Sequence, residues 1–303
     1  MNLSAATDLK IRRNVSLSTY VTMQVGGRAN YFAEPATTEE LAAVLTWSTE
    51  EKIPYFILGK GSNSVFADEG FDGVVISMLR FRSEDLRIER NEVIAGGGVH
   101  LYRLAKFCCN HSLAGAEFFA NIPGTVGGAI YMNAGFSRQA GVKHETCGVL
   151  RHVRILDSHG KERTLACSEL EFSYRKSKLP PGAFVIEARF HFQPGAKEEI
   201  AKEMQANFDY RNTKQDLKFP SSGSVFKNPP APSPSAGLLI ERCGLKGRRI
   251  GGIQVSEKHA NYFINVGKGT CQDLKALIEE TQTVVFVSEG FRLEPEVRII
   301  PHK

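Results

Sequence analysis

The sequence predicts a mixed α/β protein of about two domains, and three observations support this. Short apolar runs rich in β-branched residues alternate with longer stretches of helical periodicity, and no fixed-period repeat interrupts them. The chain has 303 residues, and a domain usually contains about 100 to 200 residues. Hydrophobic residues make up 42% of the chain and charged residues 23%, which is typical of globular proteins and excludes a disordered or fibrous chain.

The first predicted helix covers residues 37–51, where threonines followed by glutamates open a run of apolar residues at helical spacing. A buried strand is predicted at 54–58, ending in a glycine-rich segment at 59–63. Further strands are predicted at 73–77, 92–95, 153–156 and 184–190. Residues 99–112 predict a helix with one apolar face, formed by Leu101, Leu104, Ala105 and Cys108.

A polar helix predicted at residues 198–213 marks the candidate domain boundary. We therefore expect a first region at 1–197, with subdomains of about 1–80 and 81–197, and a C-terminal domain at 198–303. Within that domain, a stiff proline-rich loop at 229–234 precedes an apolar segment at 236–243. A second amphipathic helix is predicted at 271–288.

Charge and cysteine usage limit the class of partner. The net charge of +5 suits an anionic small molecule and is too small for a nucleic-acid binder. The six cysteines and eight histidines show no zinc-ligand spacing, so we expect reduced thiols and no metal. No segment approaches the ~20 apolar residues of a membrane helix. The sequence thus predicts a cytoplasmic monomer that binds neither membrane nor nucleic acid.

Three glycine-rich turns lie in the first half of the chain, at residues 59–63, 95–98 and 123–128. Glycine allows backbone N–H groups to converge on phosphate oxygens, although each turn taken alone is as well explained as a tight turn. No Walker sequence occurs, and no GxGxxG opens a helix after a strand. The three turns together indicate one large ligand with phosphate and ring contacts.

Longer segments around these turns resemble those of the UDP-N-acetylenolpyruvoylglucosamine reductase family. The matching segments are ILGKGSNSVFADEGFDGVVI at 57–76, IPGTVGGAIYMNAG at 122–135, YRKS at 174–177, PSSGSVFKNP at 220–229, AGLLIERCGLKG at 236–247, VSEKHAN at 255–261 and LEPEVR at 293–298. They follow one another in order along nearly the whole chain, so the resemblance covers both predicted regions.

The resemblance implies a fold and an activity. The fold is an FAD-binding domain of the vanillyl-alcohol-oxidase type in two subdomains, followed by an α+β substrate-binding domain. The activity is the reduction of UDP-N-acetylglucosamine enolpyruvyl ether to UDP-N-acetylmuramate in peptidoglycan precursor synthesis, with NADPH reducing the FAD. The family has a longer form with a tyrosine-bearing loop and a shorter form without it, and this chain resembles the shorter form.

The same resemblance assigns binding residues. Those implied for FAD are Gly59, Lys60, Gly61, Ser62, Asn63, Ser64, Gly97, Pro123, Gly124, Thr125, Gly127, Gly128 and Asn133. Those implied for the substrate are Tyr174, Lys214, Asn228 and Arg298. No residue matches a flavin-attachment motif, and we therefore expect noncovalent FAD.

Three further residues match the family's catalytic positions. Adding hydride to an enolpyruvyl ether places negative charge on the neighbouring carbon and its carboxylate, so the site needs a cation, a hydrogen-bond donor and an acid. The resemblance assigns the carboxylate contact to Arg175, the hydrogen bond to protonated Glu296 and the proton to Ser224. Glu294 is the close alternative to Glu296, and Lys214 or Lys227 is a candidate helper cation for the serine.

Two small departures from the family pattern affect the flavin region. Asn121 stands where glycine commonly precedes Ile-Pro-Gly, and residues 136–138 differ from the usual Ala-Tyr-Gly. His259 is expected to be structural or to line the substrate site. Two other functions remain open: another flavoprotein of the same fold, such as an alcohol oxidase, and a noncatalytic sugar-nucleotide binder.

Overall fold

The computed structural model describes residues 2–4, 7–138, 142, 144–158 and 160–303. Within these residues the α-helices are α1 Thr38–Glu50, α2 Leu101–Asn110, α3 Val126–Met132, α4 Lys197–Lys214, α5 Ala236–Arg242 and α6 Cys271–Glu289. The strands up to residue 194 are β1 Asn2–Ser4, β2 Thr7–Lys10, β3 Arg12–Ser16, β4 Arg28–Ala33, β5 Tyr55–Leu58, β6 Ser64–Phe66, β7 Phe71–Ser77, β8 Leu86–Glu89, β9 Glu92–Gly96, β10 Leu113–Ala114, β11 Leu150–Leu156, β12 Glu162–Ala166, β13 Phe184–Phe190 and β14 Gln193–Pro194. The remaining strands are β15 Ser221–Ser224, β16 Arg249–Ile250, β17 Ile253–Val255, β18 Tyr262–Asn265 and β19 Arg298–Ile300.

The predicted helices are confirmed, and their capping residues explain where they begin. The Thr37 hydroxyl accepts the Glu40 N–H at the start of α1, and Thr270 with Asp273 forms a capping box at the start of α6. All four residues predicted for the apolar face of α2 are buried. The helices of the mixed α/β fold are therefore specified by local sequence features, namely capping residues and apolar faces.

Contact clustering divides the chain into two compact units that are discontinuous in sequence. The first unit comprises Met1–Arg12, Tyr31–Lys60 and Gly73–Arg211, and the second comprises Arg13–Asn30, Gly61–Asp72 and Asn212–Lys303. The last change of unit falls inside α4, the helix at which the sequence placed the domain boundary. The functional division at residues 197 and 198 stays a prediction.

The first unit contains a five-stranded sheet of order β12-β11-β13-β9-β8, and its pairs are antiparallel. Strand β9 ends at Gly96, so it delivers the chain directly into the glycine turn at 96–98. A core around Leu104, Phe119, Ile130 and Phe190 packs α2 and α3 with this sheet. A separate core packs α1 with the parallel pair β5 and β7.

The second unit contains a four-stranded sheet of order β15-β18-β17-β16 and the parallel pair β6 and β19. Its core includes Phe226, Leu239, Phe263 and Leu274, all buried, and it joins the sheet to α5 and α6. Parallel pairing places Ser64 opposite Arg298. Two motifs far apart in sequence therefore lie side by side in this unit.

None of the described helices is both long enough and apolar enough to cross a bilayer.

Candidate active site

The segment 61–64 in the second unit forms a tight turn that only glycine can begin. Gly61 has a φ of +67°, and a Cβ placed there would lie 2.3 Å from the carbonyl oxygen of Tyr20. The N–H groups of Gly61 and Ser62 form no hydrogen bond with the described part of the chain. Adjacent unpaired N–H groups are suited to donate hydrogen bonds to a phosphate oxygen, so this turn fits its predicted role.

Valine at Gly61 is expected to destabilise the chain and to deplete bound flavin. The left-handed backbone alone costs about 1 to 2 kcal/mol for a residue with a Cβ, and the contact with Tyr20 adds to it. Gly124→Val should also deplete flavin but destabilise the chain less, because a Cβ at Gly124 first meets the flexible end of Leu101, at 3.2 Å. Urea unfolding and the flavin-to-protein ratio measure both effects. Full flavin occupancy with unchanged stability in the Gly61 variant would contradict this reading.

The turn at 123–128 in the first unit divides into two parts. The N–H groups of Val126 and Gly127 donate to the carbonyls of Val99 and Gly97, and that of Gly128 donates to the Thr125 hydroxyl. The N–H groups of Gly124 and Thr125 have no partner in the described residues. Gly124 and Thr125 therefore fit ligand binding, whereas the N–H groups of Gly127 and Gly128 serve the fold.

Two other predicted glycines are explained by packing. A Cβ at Gly97 would lie 2.0 Å from the Val185 carbonyl oxygen, and the Gly97 N–H donates to Ile186. A Cβ at Gly59 would lie 2.9 Å from the Thr125 hydroxyl. The tight-turn reading explains residues 96–98 fully, and contact of Gly97 with FAD stays a prediction.

Asn133 has a structural task that the motif did not reveal. It ends α3 with a φ of +42°, and its side chain is 1% exposed. The Nδ2 group donates to Glu145 and to the Ser173 carbonyl, both at 3.1 Å, while Oδ1 accepts the Cys147 N–H. Since the amide is fully used within the protein, Asn133 holds the loop that carries Arg175.

Arg175 projects from a short turn fixed to α3 and its C-terminal end. Ser173 and Lys176 exchange backbone hydrogen bonds, and the Ser177 hydroxyl donates to the Tyr131 carbonyl. Arg175 has a φ of +58°, donates to the Gly135 carbonyl at 3.3 Å and lies over the ring of Tyr174 at 5.3 Å. A left-handed backbone is costly for arginine, so the flanking bonds are what hold the guanidinium in place.

A cavity of about 370 Å³ opens in the first unit beside the turn at 123–125. Three of the predicted FAD residues, Lys60, Pro123 and Gly124, line it. Its other polar lining residues are His100, Asn121 and Arg211, which the sequence did not assign. Burial, aided by the charges of Lys60 and Arg103, lowers the pKa of His100. The cavity thus combines basic side chains with a turn that offers unpaired N–H groups.

Ser224 and Glu296 are brought together in the second unit. The Glu296 N–H donates to the carbonyl of Val225, the residue after Ser224, at 2.7 Å. Asn63 donates from its side chain to the Glu296 carbonyl at 2.9 Å. The Ser224 hydroxyl makes no hydrogen bond within the described chain. Asn63, predicted to bind FAD, therefore also positions Glu296.

Glu294, the alternative to Glu296, and Lys227, a candidate helper cation, form an ion pair with each other. Glu294 forms an ion pair with Lys227 at 2.5 Å, and the Glu294 side chain is 70% exposed. The carboxylate of Glu294 is thus already engaged by Lys227, and the catalytic role of Glu296 stays a prediction.

The predicted substrate residues differ in how they are held. Lys214 lies exposed at the end of α4, and Tyr174 is exposed beside Arg175. The Asn228 side chain accepts the Ala236 N–H at the start of α5, and Arg298 lies on the exposed face of β19. Substrate contact by these four residues stays a prediction.

His259 is partly buried, and its ring is tilted against that of Tyr262 with centroids 4.8 Å apart, while its Nδ1 accepts the Asn261 N–H. These contacts support the structural reading of this histidine. Within the described residues, no group of histidine, cysteine and acidic side chains is arranged to hold a metal ion.

The pH dependence of stability should report on His259. Burial, with a smaller effect of Lys246, lowers the pKa of His259 in the folded protein. As pH falls below about 6.5, the unfolded chain binds this proton first, so stability present at neutral pH is lost. His259→Gln is expected to flatten this acid-side loss in urea unfolding at successive pH values. The exposed His152→Gln is the control, and equal pH profiles for His259→Gln and the unmutated chain would refute the assignment.

Comparison with known proteins identifies the chain. Residues 29–166 match the family model of an FAD binding domain, and residues 215–300 match that of the C-terminal domain of UDP-N-acetylenolpyruvoylglucosamine reductase. These two domains define an FAD-dependent oxidoreductase. Relatives named UDP-N-acetylenolpyruvoylglucosamine reductase from Synechococcus sp. (strain RCC307) and Streptococcus thermophilus (strain LMD-9) are 40% and 39% identical over 96% and 97% of this chain, and over 94% of each relative.

A solved structure extends the comparison to the fold. The reductase from Thermus caldophilus has a TM-score of 0.82 and 34% identity, and the match covers 97% of this chain and 100% of that one. The chain belongs to the UDP-N-acetylenolpyruvoylglucosamine reductase family, whose members act in peptidoglycan synthesis. The predicted family, fold class and FAD are confirmed, and family membership supports NADPH as the reductant.

The described residues also fit FAD on structural grounds. Each unit, taken separately, has a glycine turn with two unpaired N–H groups, at Gly61 and Ser62 in one and at Gly124 and Thr125 in the other. Such groups are suited to phosphate or carbonyl oxygens.

Proposed function

We propose that this chain reduces UDP-N-acetylglucosamine enolpyruvyl ether to UDP-N-acetylmuramate, using NADPH and noncovalently bound FAD. The observation that carries the proposal is the juxtaposition of Ser224 and Glu296 through the Val225 carbonyl. Within the described residues the Ser224 hydroxyl has no hydrogen-bond partner. The backbone of Glu296 is bonded to the residue after Ser224 and is also held by Asn63. An acid and a hydrogen-bond donor side by side are what protonation of an enolpyruvyl carbon needs.

FAD, held by the turns at residues 61–62 and 124–125, would supply the hydride for the reduction, with NADPH as its source. The protein's residues stabilise and protonate the substrate. Arg175 holds the substrate carboxylate through its planar guanidinium, and Glu296, in its protonated form, donates a hydrogen bond to the developing enolate. Ser224 then gives its proton to the carbon adjacent to the carboxylate. One hydride and one proton are added across the double bond, so the reduction is balanced.

The half-reactions test the proposal directly. Under anaerobic conditions, NADPH is expected to bleach the flavin absorbance of the purified protein, and the enolpyruvyl sugar nucleotide is expected to restore it. Steady-state rates are expected to show ping-pong kinetics, because both reactants use the same flavin in turn. A flavin that NADPH reduces but the sugar nucleotide does not reoxidise would favour another oxidoreductase of this fold. Protein without flavin would favour a noncatalytic binder.

Arg175→Lys is expected to slow reoxidation of the flavin by substrate far more than its reduction by NADPH. Lysine keeps the charge but loses the two-pronged contact with a carboxylate. Stopped-flow absorbance measures each half-reaction separately. Arg163→Lys is the control, since Arg163 is an exposed arginine of the same unit on β12. Equal losses in both half-reactions would make Arg175 a structural residue.

A cytoplasmic location and a monomeric state remain predictions. Size-exclusion chromatography with light scattering tests the second, and a mass of twice the 33.4 kDa chain would contradict it.

A further inference from the structure

Asn121 has a buried side-chain amide without a partner among the described residues. It ends the short helical turn Glu117–Asn121 and is 3% exposed. Neither its Oδ1 nor its Nδ2 forms a hydrogen bond with the described residues. Its backbone is nevertheless fixed, because the Arg211 guanidinium donates to the Asn121 carbonyl. The side chain is therefore held in a defined place with both of its polar atoms unused.

The other buried amides of this unit behave differently. Asn207 accepts from Arg138 at 2.9 Å and donates to the Glu117 carbonyl at 3.4 Å. Asn133 uses both ends of its amide, as described above. Buried polar atoms are nearly always hydrogen-bonded because an unpaired one keeps its full cost of desolvation. An unpaired amide in such a unit calls for a partner from outside the chain.

The position of Asn121 indicates where that partner lies. Asn121 lines the cavity of about 370 Å³, next to the turn that offers the unpaired N–H groups of Gly124 and Thr125. The same cavity is lined by the basic side chains of Lys60 and Arg211. The aromatic side chains of Tyr102 and Phe208 also line it, and their rings meet edge to face with centroids 6.0 Å apart. Basic and aromatic groups together suit a ligand with phosphates and planar rings.

The amide itself limits the chemistry further. A carboxamide presents a donor and an acceptor side by side. Its complement is a ring edge with an acceptor next to a donor, which occurs in the imide of the isoalloxazine ring and in the N1 and amino group of adenine. Both rings belong to FAD. We infer that the side-chain amide of Asn121 hydrogen-bonds a ring edge of bound FAD, an inference that rests on the placement of FAD at these glycine turns.

The test compares Asn121→Leu with the unmutated holoenzyme. Leucine has the same branching as asparagine but forms no hydrogen bonds, so the dissociation constant of FAD should rise by about tenfold. Release of FAD on dilution, followed by flavin fluorescence, gives this constant. Thermal unfolding at increasing FAD concentration should show a weaker stabilising effect of the flavin in the variant. Without added FAD, the variant should be at least as stable as the original chain, because an unsatisfied buried amide has been removed.

Binding of FMN distinguishes the two rings. If Asn121 contacts the isoalloxazine, Asn121→Leu should shift the visible flavin bands and weaken FMN and FAD equally. If it contacts adenine, the bands and the FMN affinity stay unchanged while FAD binds less tightly. Asn207→Leu is the matched control, and it should lower stability with and without FAD alike.

Three results separate the possible failures. Unchanged FAD affinity in Asn121→Leu overturns the inference while leaving the proposed function intact. Equal loss of stability with and without FAD in both Asn121→Leu and Asn121→Gly also overturns it, since that indicates a structural role. An unmutated chain that binds no FAD contradicts the proposed function itself.

Discussion

Replacing Ser224 by alanine is expected to lower turnover by about 10²- to 10⁴-fold, the usual contribution of a general acid. Hydride transfer and protonation occur on different carbons of the enolpyruvyl double bond, so they can be separated. Loss of the Ser224 hydroxyl removes the proton source and leaves the flavin and NADPH contacts in place. Reduction of FAD by NADPH, followed by stopped-flow absorbance, should therefore stay close to that of the unmutated enzyme.

The surroundings of Ser224 allow its hydroxyl to be removed with little expected damage to the fold. Its hydroxyl holds no protein partner, so truncation breaks no hydrogen bond of the described chain. Ser222→Ala is the matched control, because the Ser222 hydroxyl is also unpaired but buried, two residues earlier on the same strand. Ser224→Cys keeps a transferable proton and should recover part of the activity. A Ser224→Ala enzyme within a few-fold of the original would mean that water or another group protonates the substrate.

The strongly periodic elements were predictable because their signals are local. Strand β13 at Phe184–Phe190 was predicted to the residue, since a mainly apolar run that follows a turn is typical of a buried strand. Helix α6 was predicted within a residue of its end, because a capping threonine opens it and a glycine in the left-handed region closes it. No contact with a distant segment is needed to recognise either element.

The uses of individual polar groups were not predictable. A motif match places Asn133 at the flavin site, but only the fold shows that Glu145, Cys147 and Ser173 occupy its amide. In the same way, Gly97 reads as a ligand-binding glycine until the Val185 carbonyl is found against it. Hydrogen-bond partners far apart in sequence decide these roles, and a motif does not contain that information.

Three polar residues that line the cavity were not predicted from the sequence. His100, Asn121 and Arg211 come from three separate segments, and none belongs to a glycine motif. Asn121 was noticeable only as a departure from the family pattern, and the sequence alone gave it no role. Tertiary contacts bring it beside Gly124 and leave its amide unpaired. An unusual residue at a binding loop is the one signal that pointed to it.

Glu296→Ala is expected to slow reduction of the substrate by about 10²- to 10³-fold, the usual effect of removing a hydrogen bond to a developing oxyanion. Asn63 and Val225 fix the backbone of Glu296, so the truncated residue should keep its place. Glu294→Ala is the matched control, two residues away. Its carboxylate forms an exposed ion pair with Lys227, and such pairs contribute only about 0 to 1 kcal/mol.

Glutamine at position 296 separates two roles of the carboxyl group. If Glu296 acts in its protonated form, the amide of Glu296→Gln still donates a hydrogen bond, and much of the activity lost in the alanine variant should return. If Glu296 acts as an ionised carboxylate, glutamine should be as damaging as alanine. Rates of flavin reoxidation by the sugar nucleotide measure both variants. A large loss in Glu294→Ala with little change in Glu296→Ala would transfer the role to Glu294.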